Sequence, residues 1–157
     1  MALFEFFPNY IWNLSVAIAM ENGGKIGEIV DMCQPILDAA AKGDDAGTAE
    51  FLAEWVKTAD KLVALADEDL QEGRQYSAGN KLKRAAIYYV TAERMQGHGH
   101  PGRMETYRKA LDAFDRGTRF ARDNIERVEI PYGDARKLAA YLTLADGDGL
   151  RPIVVFC

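Results

Sequence analysis

Nucleophilic and metal chemistry in this 157-residue chain would have to come from very few side chains: Ser15 and Ser77, Cys33 and Cys157, His98 and His100. A hydrolytic serine needs a sharp strand-to-helix elbow, written Gly-x-Ser-x-Gly, to lift its hydroxyl clear of the fold. Ser15 lies in Asn13-Leu-Ser-Val-Ala17, an apolar stretch, and Ser77 lies in Gln75-Tyr-Ser-Ala-Gly79, which reads as a helix start. Both serve structure. His98 and His100 stand two apart in Gly97-His-Gly-His-Pro-Gly102, but a metal needs three or four convergent ligands. Cys33 is far away in sequence, and neither Cys-x-x-Cys nor His-Glu-x-x-His occurs. The segment reads as a solvated loop between two helices, so its glycines are not a dinucleotide fingerprint, which must follow a strand. No catalytic residue, metal site or cofactor is expected from these residues.

Binding chemistry has better candidates. Phe4, Phe6, Phe7, Tyr10 and Trp12 form an aromatic cluster near the start, with Asn13 beside it. Aromatic side chains dominate burial, so the cluster reads as core or as the wall of an apolar pocket. Arg84, Tyr88 and Thr91 recur at i, i+4, i+7 in a helical stretch, with Glu93 nearby. Buried hydroxyls need partners, so this row is either a structural network or a polar rim facing a substrate.

Five helical stretches must position these groups. The first, about 9–22, is apolar on nearly every side and reads as buried all round, ending at Gly23-Gly24. The second, about 25–42, carries Ile26, Ile29, Val30, Cys33, Ile36, Leu37 and Ala40 on one face, with a break expected before Pro35. The third places Phe51, Leu52, Trp55, Val56, Ala59, Leu62, Val63 and Ala66 in one stripe. The fourth, about 77–96, has small residues Ala85, Ala86 and Ala92 that permit close packing. The fifth, about 103–123, shows Tyr107, Ala110, Leu111, Phe114, Thr118 and Ala121 on one face. The texture then changes: Val128–Tyr132 and Lys137–Leu144, separated by Gly133-Asp134, read as a hairpin. Ile153-Val-Val-Phe-Cys157 reads as a third strand, buried on both faces as in a parallel sheet under helices. A strand of that kind calls for covering material these residues do not supply, so the natural chain is expected to continue.

Charge adds a second constraint. Residues 38–72 hold ten Asp/Glu against three Lys/Arg, and residues 74–122 hold eleven Lys/Arg against four Asp/Glu. The two stretches are expected to attract each other as neighbouring helices. The net charge of −5 argues against a nucleic-acid partner, whose binding rests on basic residues neutralising phosphates. The apolar run Tyr10–Met20 is too short to span a bilayer, so no membrane role is expected. Two separated cysteines form no disulfide framework and fit a reducing cytoplasm.

Several stretches together resemble a known family: Phe7-Pro-Asn-Tyr-Ile-Trp-Asn13, Arg84-Ala-Ala-Ile-Tyr-Tyr-Val-Thr-Ala-Glu93, Tyr107-Arg-Lys-Ala-Leu-Asp-Ala-Phe114, and Val128-Glu-Ile-Pro-Tyr-Gly133 with Arg151-Pro-Ile-Val-Val-Phe156. The chain resembles the α/β-hydrolases with a helical N-terminal domain, typified by 2,6-dihydroxypseudooxynicotine hydrolase, FrsA-type esterases and fungal polyketide-shortening hydrolases. The resemblance implies a mainly α fold, with a helical cap at residues 1–127 followed by the first three strands of the hydrolase sheet at 128–157. It implies a serine-type enzyme that cleaves carbonyl substrates at a C–C or ester bond, the oxyanion held by backbone N–H groups. No position matches the triad, which would follow later in the chain. Tyr10, Trp12, Asn13, Arg84 and Tyr88 are the expected substrate-binding residues. The expected partners are a small carbonyl substrate and the remaining hydrolase core, with self-association through the terminal strand as a further expectation. The alternative is a stand-alone helical interaction module that pairs its terminal strands with another chain.

Overall fold

A computed structural model describes residues 5–43, 47–145, 147 and 149–155; Phe4, Phe156 and Cys157, named above, lie outside them. The protein is mainly helical and divides into two compact units, Met1–Arg122 and Asp123–Cys157.

The first unit is a helical bundle. Helix α1 (Tyr10–Glu21) is capped by Asn9, whose side-chain oxygen accepts from Ile11 N at 2.8 Å and Trp12 N at 3.4 Å. Helix α2 (Ile26–Cys33) stops where Pro35 lacks the N–H that a helix interior requires. A 3-10 turn, Gln34–Ile36, carries the chain on into the short α3 (Leu37–Ala40). Helix α4 (Thr48–Gln71) buries Phe51, Trp55, Ala59, Leu62 and Ala66, the stripe its periodicity predicts. Helix α5 (Gln75–Arg94) is buried along more than one face, through Leu82, Ala85, Tyr88, Tyr89 and Ala92 among others. Helix α6 (Arg103–Ala121) completes the bundle.

Two helices differ from expectation. Only one side of α1 is buried, the side carrying Trp12, Asn13, Ser15, Val16 and Ala19, while Ile11, Leu14 and Ile18 stay open to solvent. Helix α6 turns its small residues Ala110, Ala113, Gly117 and Ala121 inward and leaves Tyr107 and Leu111 exposed. The reason is the closeness of α5. A Cβ built on Gly79 would stand 2.3 Å from Ala121 N, and one on Gly117 would stand 2.9 Å from Lys83 N. Backbones that near leave room only for Gly and Ala, so the bulky side chains face away.

The core is threaded by aromatic rings. Phe7 meets Trp12 edge-on at 5.3 Å, Trp12 meets Phe51 at 5.3 Å, and Phe51 stacks on Trp55 at 5.0 Å. Trp55 meets Tyr88 edge-on at 5.7 Å, which carries the chain of rings from the N-terminal segment through α4 to α5. Acidic α4 faces basic α5 and α6 through Asp60–Lys109, Asp67–Arg116 and Asp69 with Lys81 and Arg74. The two oppositely charged stretches are thus neighbours.

The second unit holds an antiparallel hairpin of β1 (Ile125–Tyr132) and β2 (Arg136–Thr143). Pairing begins at Ile125↔Thr143, three residues before the expected start at Val128. The expected third strand is corrected: Ile153, Val154 and Val155 belong to no strand and are more than 70% exposed. A strand is defined by its hydrogen-bonded neighbour, and among the described residues none pairs with this segment.

Two outcomes follow for the bundle. Gly79→Ala forces the α5–α6 backbones apart and should lower stability by about 1–3 kcal/mol, read by urea denaturation. Hydrogen bonds from Lys81, Ser77 and Arg74 hold the Asp69 carboxyl well below the usual carboxylate range. A depressed carboxylate stabilises the fold above its unfolded value of about 4 and ceases to do so as pH falls through the folded value. Asp69→Asn should therefore lower Tm at neutral pH and flatten the decline of Tm on acidification below about pH 4.

Candidate ligand groove

The open sides of α1 and α6 meet α5 in a groove of about 270 Å³. Its apolar wall comes from Ile18, Ile87, Val90, Leu111 and Phe114, with Ala19, Ala86 and Ala110 at the contacts between helices. Three polar residues line it as well: Asn22, Thr91 and Arg94. Thr91 is committed locally, its hydroxyl donating to Ile87 O at 2.8 Å.

Helix directions fix where the other two sit. Arg94 Nη2 donates to Ser15 O at 3.3 Å, whereas a Cβ on Gly23 would lie 3.9 Å from the Ile87 side chain. Helix α1 therefore runs antiparallel to α5, which places Arg94 at one end of the groove and Asn22 at the other. Ser15 also donates to Met95 Sδ at 3.0 Å, closing the α1–α5 contact beside Arg94. The groove offers apolar surface and one cation. It contains no nucleophile and no general base, so it can bind and orient but not react. Among the described residues no cluster of three or more His, Cys, Asp or Glu could hold a metal.

The five residues expected to bind substrate lie elsewhere. Tyr10 sits in the first turn of α1 and is 67% exposed. Trp12 is buried in the ring chain. Asn13 is buried too, its Oδ1 accepting from Phe6 N at 2.9 Å and Phe7 N at 3.0 Å while its Nδ2 donates to Phe7 O at 2.7 Å. That clamp satisfies the buried amide and folds the N-terminal segment onto α1. Arg84 and Tyr88 do come together, but over Glu28 of α2. The guanidinium donates to both carboxylate oxygens at 3.2 Å, and the phenol donates to Oε2 at 2.5 Å while accepting from Lys25 N at 2.9 Å. Burial, reinforced by the Glu28 carboxylate, pushes the Tyr88 phenol well above its ordinary value, so it stays a donor. None of the five lines the groove.

The groove residues themselves had a weak signal in sequence. An α1 apolar on every side carries more apolar surface than one packing face can bury. Val90 and Arg94, four apart on α5, place a charge one turn beyond an exposed apolar side chain. The convergence of residues 18, 90 and 111 depends on tertiary packing, which no local pattern records.

Known proteins carry similar sequences. An α/β-hydrolase of Xenoacremonium sinensis, xenA, is 24% identical over 158 residues, covering 98% of this chain and 36% of its own length. An α/β-hydrolase of Aspergillus fumigatus, psoB, is 28% identical over 133 residues, covering 82% of this chain and 28% of its own. An α/β-hydrolase of Penicillium citrinum, gkaG, is 23% identical over 164 residues, covering 99% of this chain and 37% of its own. The chain is thus similar in sequence to three α/β-hydrolases over most of its own length. It spans about a third of the length of these relatives, and no protein-family model matches it. Among the described residues no helix is long and apolar enough to cross a membrane.

The Glu28 cluster has a measurable consequence for stability. Tyr88→Phe removes the donor to Glu28 and the acceptor for Lys25 N–H, and should cost about 1–2 kcal/mol in urea denaturation. An unchanged midpoint and slope would mean that the cluster does not tie α2 to α5.

Proposed function

We propose that these residues form the helical cap and the first sheet strands of a serine-type α/β-hydrolase acting on small carbonyl compounds by C–C or ester cleavage. The observation that carries this reading is the span of the similarity: it runs over nearly all of this chain and about a third of each hydrolase relative. The catalytic serine, acid and histidine then lie in the remaining hydrolase core, consistent with a sequence whose two serines both lack an elbow. A two-stranded hairpin is marginal in water by itself and gains stability as part of a larger sheet. The reducing cytoplasm is the compartment proposed for the enzyme.

In this arrangement the helical unit covers the mouth of the core, excludes water and shapes the substrate site. Of the five residues named from sequence, Tyr10 offers a substrate the most surface, and Arg84 is partly exposed as well. Trp12, Asn13, Arg84 and Tyr88 act as positioning residues, holding α1 and α2 on the bundle. The groove is the unit's own concave apolar surface and its contribution to substrate binding.

An activated ester such as p-nitrophenyl acetate tests the reading. Residues 1–157 alone should hydrolyse it no faster than buffer, and the same residues extended by the downstream hydrolase segment should turn it over with saturation. Hydrolysis by residues 1–157 alone, or none from the extended chain, overturns the proposal. A stable monomer that is inert in both forms would favour the stand-alone interaction module.

A further inference from the structure

The groove pairs an apolar trough with the guanidinium of exposed Arg94, which meets no carboxylate among the described residues. We propose that it binds an amphipathic organic anion, with an aromatic or aliphatic body against Ile18, Val90 and Leu111 and a carboxylate or enolate oxygen at Arg94. The proposal rests on reading the groove as the helical unit's part of a small-molecule site, and it names the class of molecule that site selects.

The case begins with the arginines. Arg74, Arg84, Arg103 and Arg116 each meet a carboxylate: Asp69, Glu28, Glu93 and Asp67 respectively. Arg94 meets none among the described residues, and the adjacent Glu93 is already held by Arg103 Nε at 2.5 Å. Of its five N–H donors, one reaches the Ser15 carbonyl, at the long distance of 3.3 Å. Its position in the last turn of α5 suits a cation facing the negative end of the helix. That accounts for the charge but not for its place along the wall of an apolar groove.

The remaining polar groups set the direction of the bound molecule. Asn22 at the far end spends one Nδ2–H on Ile18 O at 2.7 Å, which leaves one neutral N–H and its carbonyl oxygen there. Thr91 donates within α5. The groove's one cationic donor stands at the Arg94 end, so an oxyanion is held more strongly there than by the neutral Asn22 amide, and the wall between is mostly apolar. An anion with a two-ring or short-chain body matches a space of about 270 Å³. A planar guanidinium can hold both oxygens of a carboxylate at once, a geometry a lysine cannot offer.

The experiment uses 2-naphthoate and its neutral counterpart 2-naphthamide, titrated into 15N-labelled protein. Naphthoate should shift the amides of Ile18, Val90 and Leu111 and bind more tightly than naphthamide. Arg94→Gln should weaken naphthoate about tenfold, the size of a lost charged hydrogen bond, while leaving naphthamide within about twofold. Val90→Glu, a surface substitution that places a carboxylate in the trough, should weaken both. Equal binding of the two probes, indifference to Arg94→Gln, or no shift at about 1 mM probe overturns the proposal. Those outcomes concern binding to residues 1–157 and leave the ester assay on the extended chain, and the hydrolase reading with it, untouched.

Discussion

The distance between α5 and α6 is set by two glycines, and the rest of the helical unit is arranged around that approach. With Gly79 against Ala121 and Gly117 against Lys83, the backbones lie too close for a larger side chain between them. Helix α6 must then present alanines inward, and its larger residues turn to the outside. Helix α5, gripped on this side, keeps Tyr88 and Tyr89 for α2 and α4, where their hydroxyls meet Glu28 and Asp60. Phe114, Leu111 and Val90 are left to line the groove with α1. One steric limit therefore decides both which residues form the core and which remain open to a ligand.

Electrostatics supports this arrangement without creating it. The pairs Asp60–Lys109 and Asp67–Arg116 bridge α4 and α6 at partly exposed positions, where an ion pair contributes little to stability. Their value lies in orientation, because an acidic α4 set against a basic α6 disfavours the wrong face. Asp69 differs in being almost wholly buried, with Lys81, Arg74 and Ser77 around it. Burying a lone carboxylate is costly, so that cluster must be complete if it is to be tolerated. Cys33, a free thiol, illustrates the same rule: burial pushes it up to about 12 and keeps it neutral.

How much of this was readable beforehand depends on how local the cause is. The α4 stripe and the break at Pro35 are set by residues within one or two turns, and both were legible. The exposed side of α1 was not, because apolar composition does not say how many neighbours a helix will have. The inward face of α6 was misjudged because size, not hydrophobicity, chose it. Arg84 and Tyr88 stood out as polar groups on a buried helix, but their partner Glu28 lies 56 residues from Arg84 and carries no signal of its own. The third strand failed for a related reason: apolar residues can propose a strand, and only a neighbouring backbone can make one. The groove was the least legible feature, since three helices distant in sequence supply it.

The register of the hairpin carries one more implication. Opposed residues share a face, so Val128 with Ala140 and Ile130 with Leu138 fall on one side of the ribbon. The reverse side carries Glu129, flanked by Arg127 at 3.5 Å and Lys137 at 2.6 Å, a charged set that prefers water. One side of the ribbon is thus mainly greasy, with Glu126 and Arg136 toward its ends, and the other carries the ion pairs beside Tyr141. Because the pleat alternates, any strand joining its edge inherits that polarity, and a helix seeking dry contact at this end of the sheet has one side to choose.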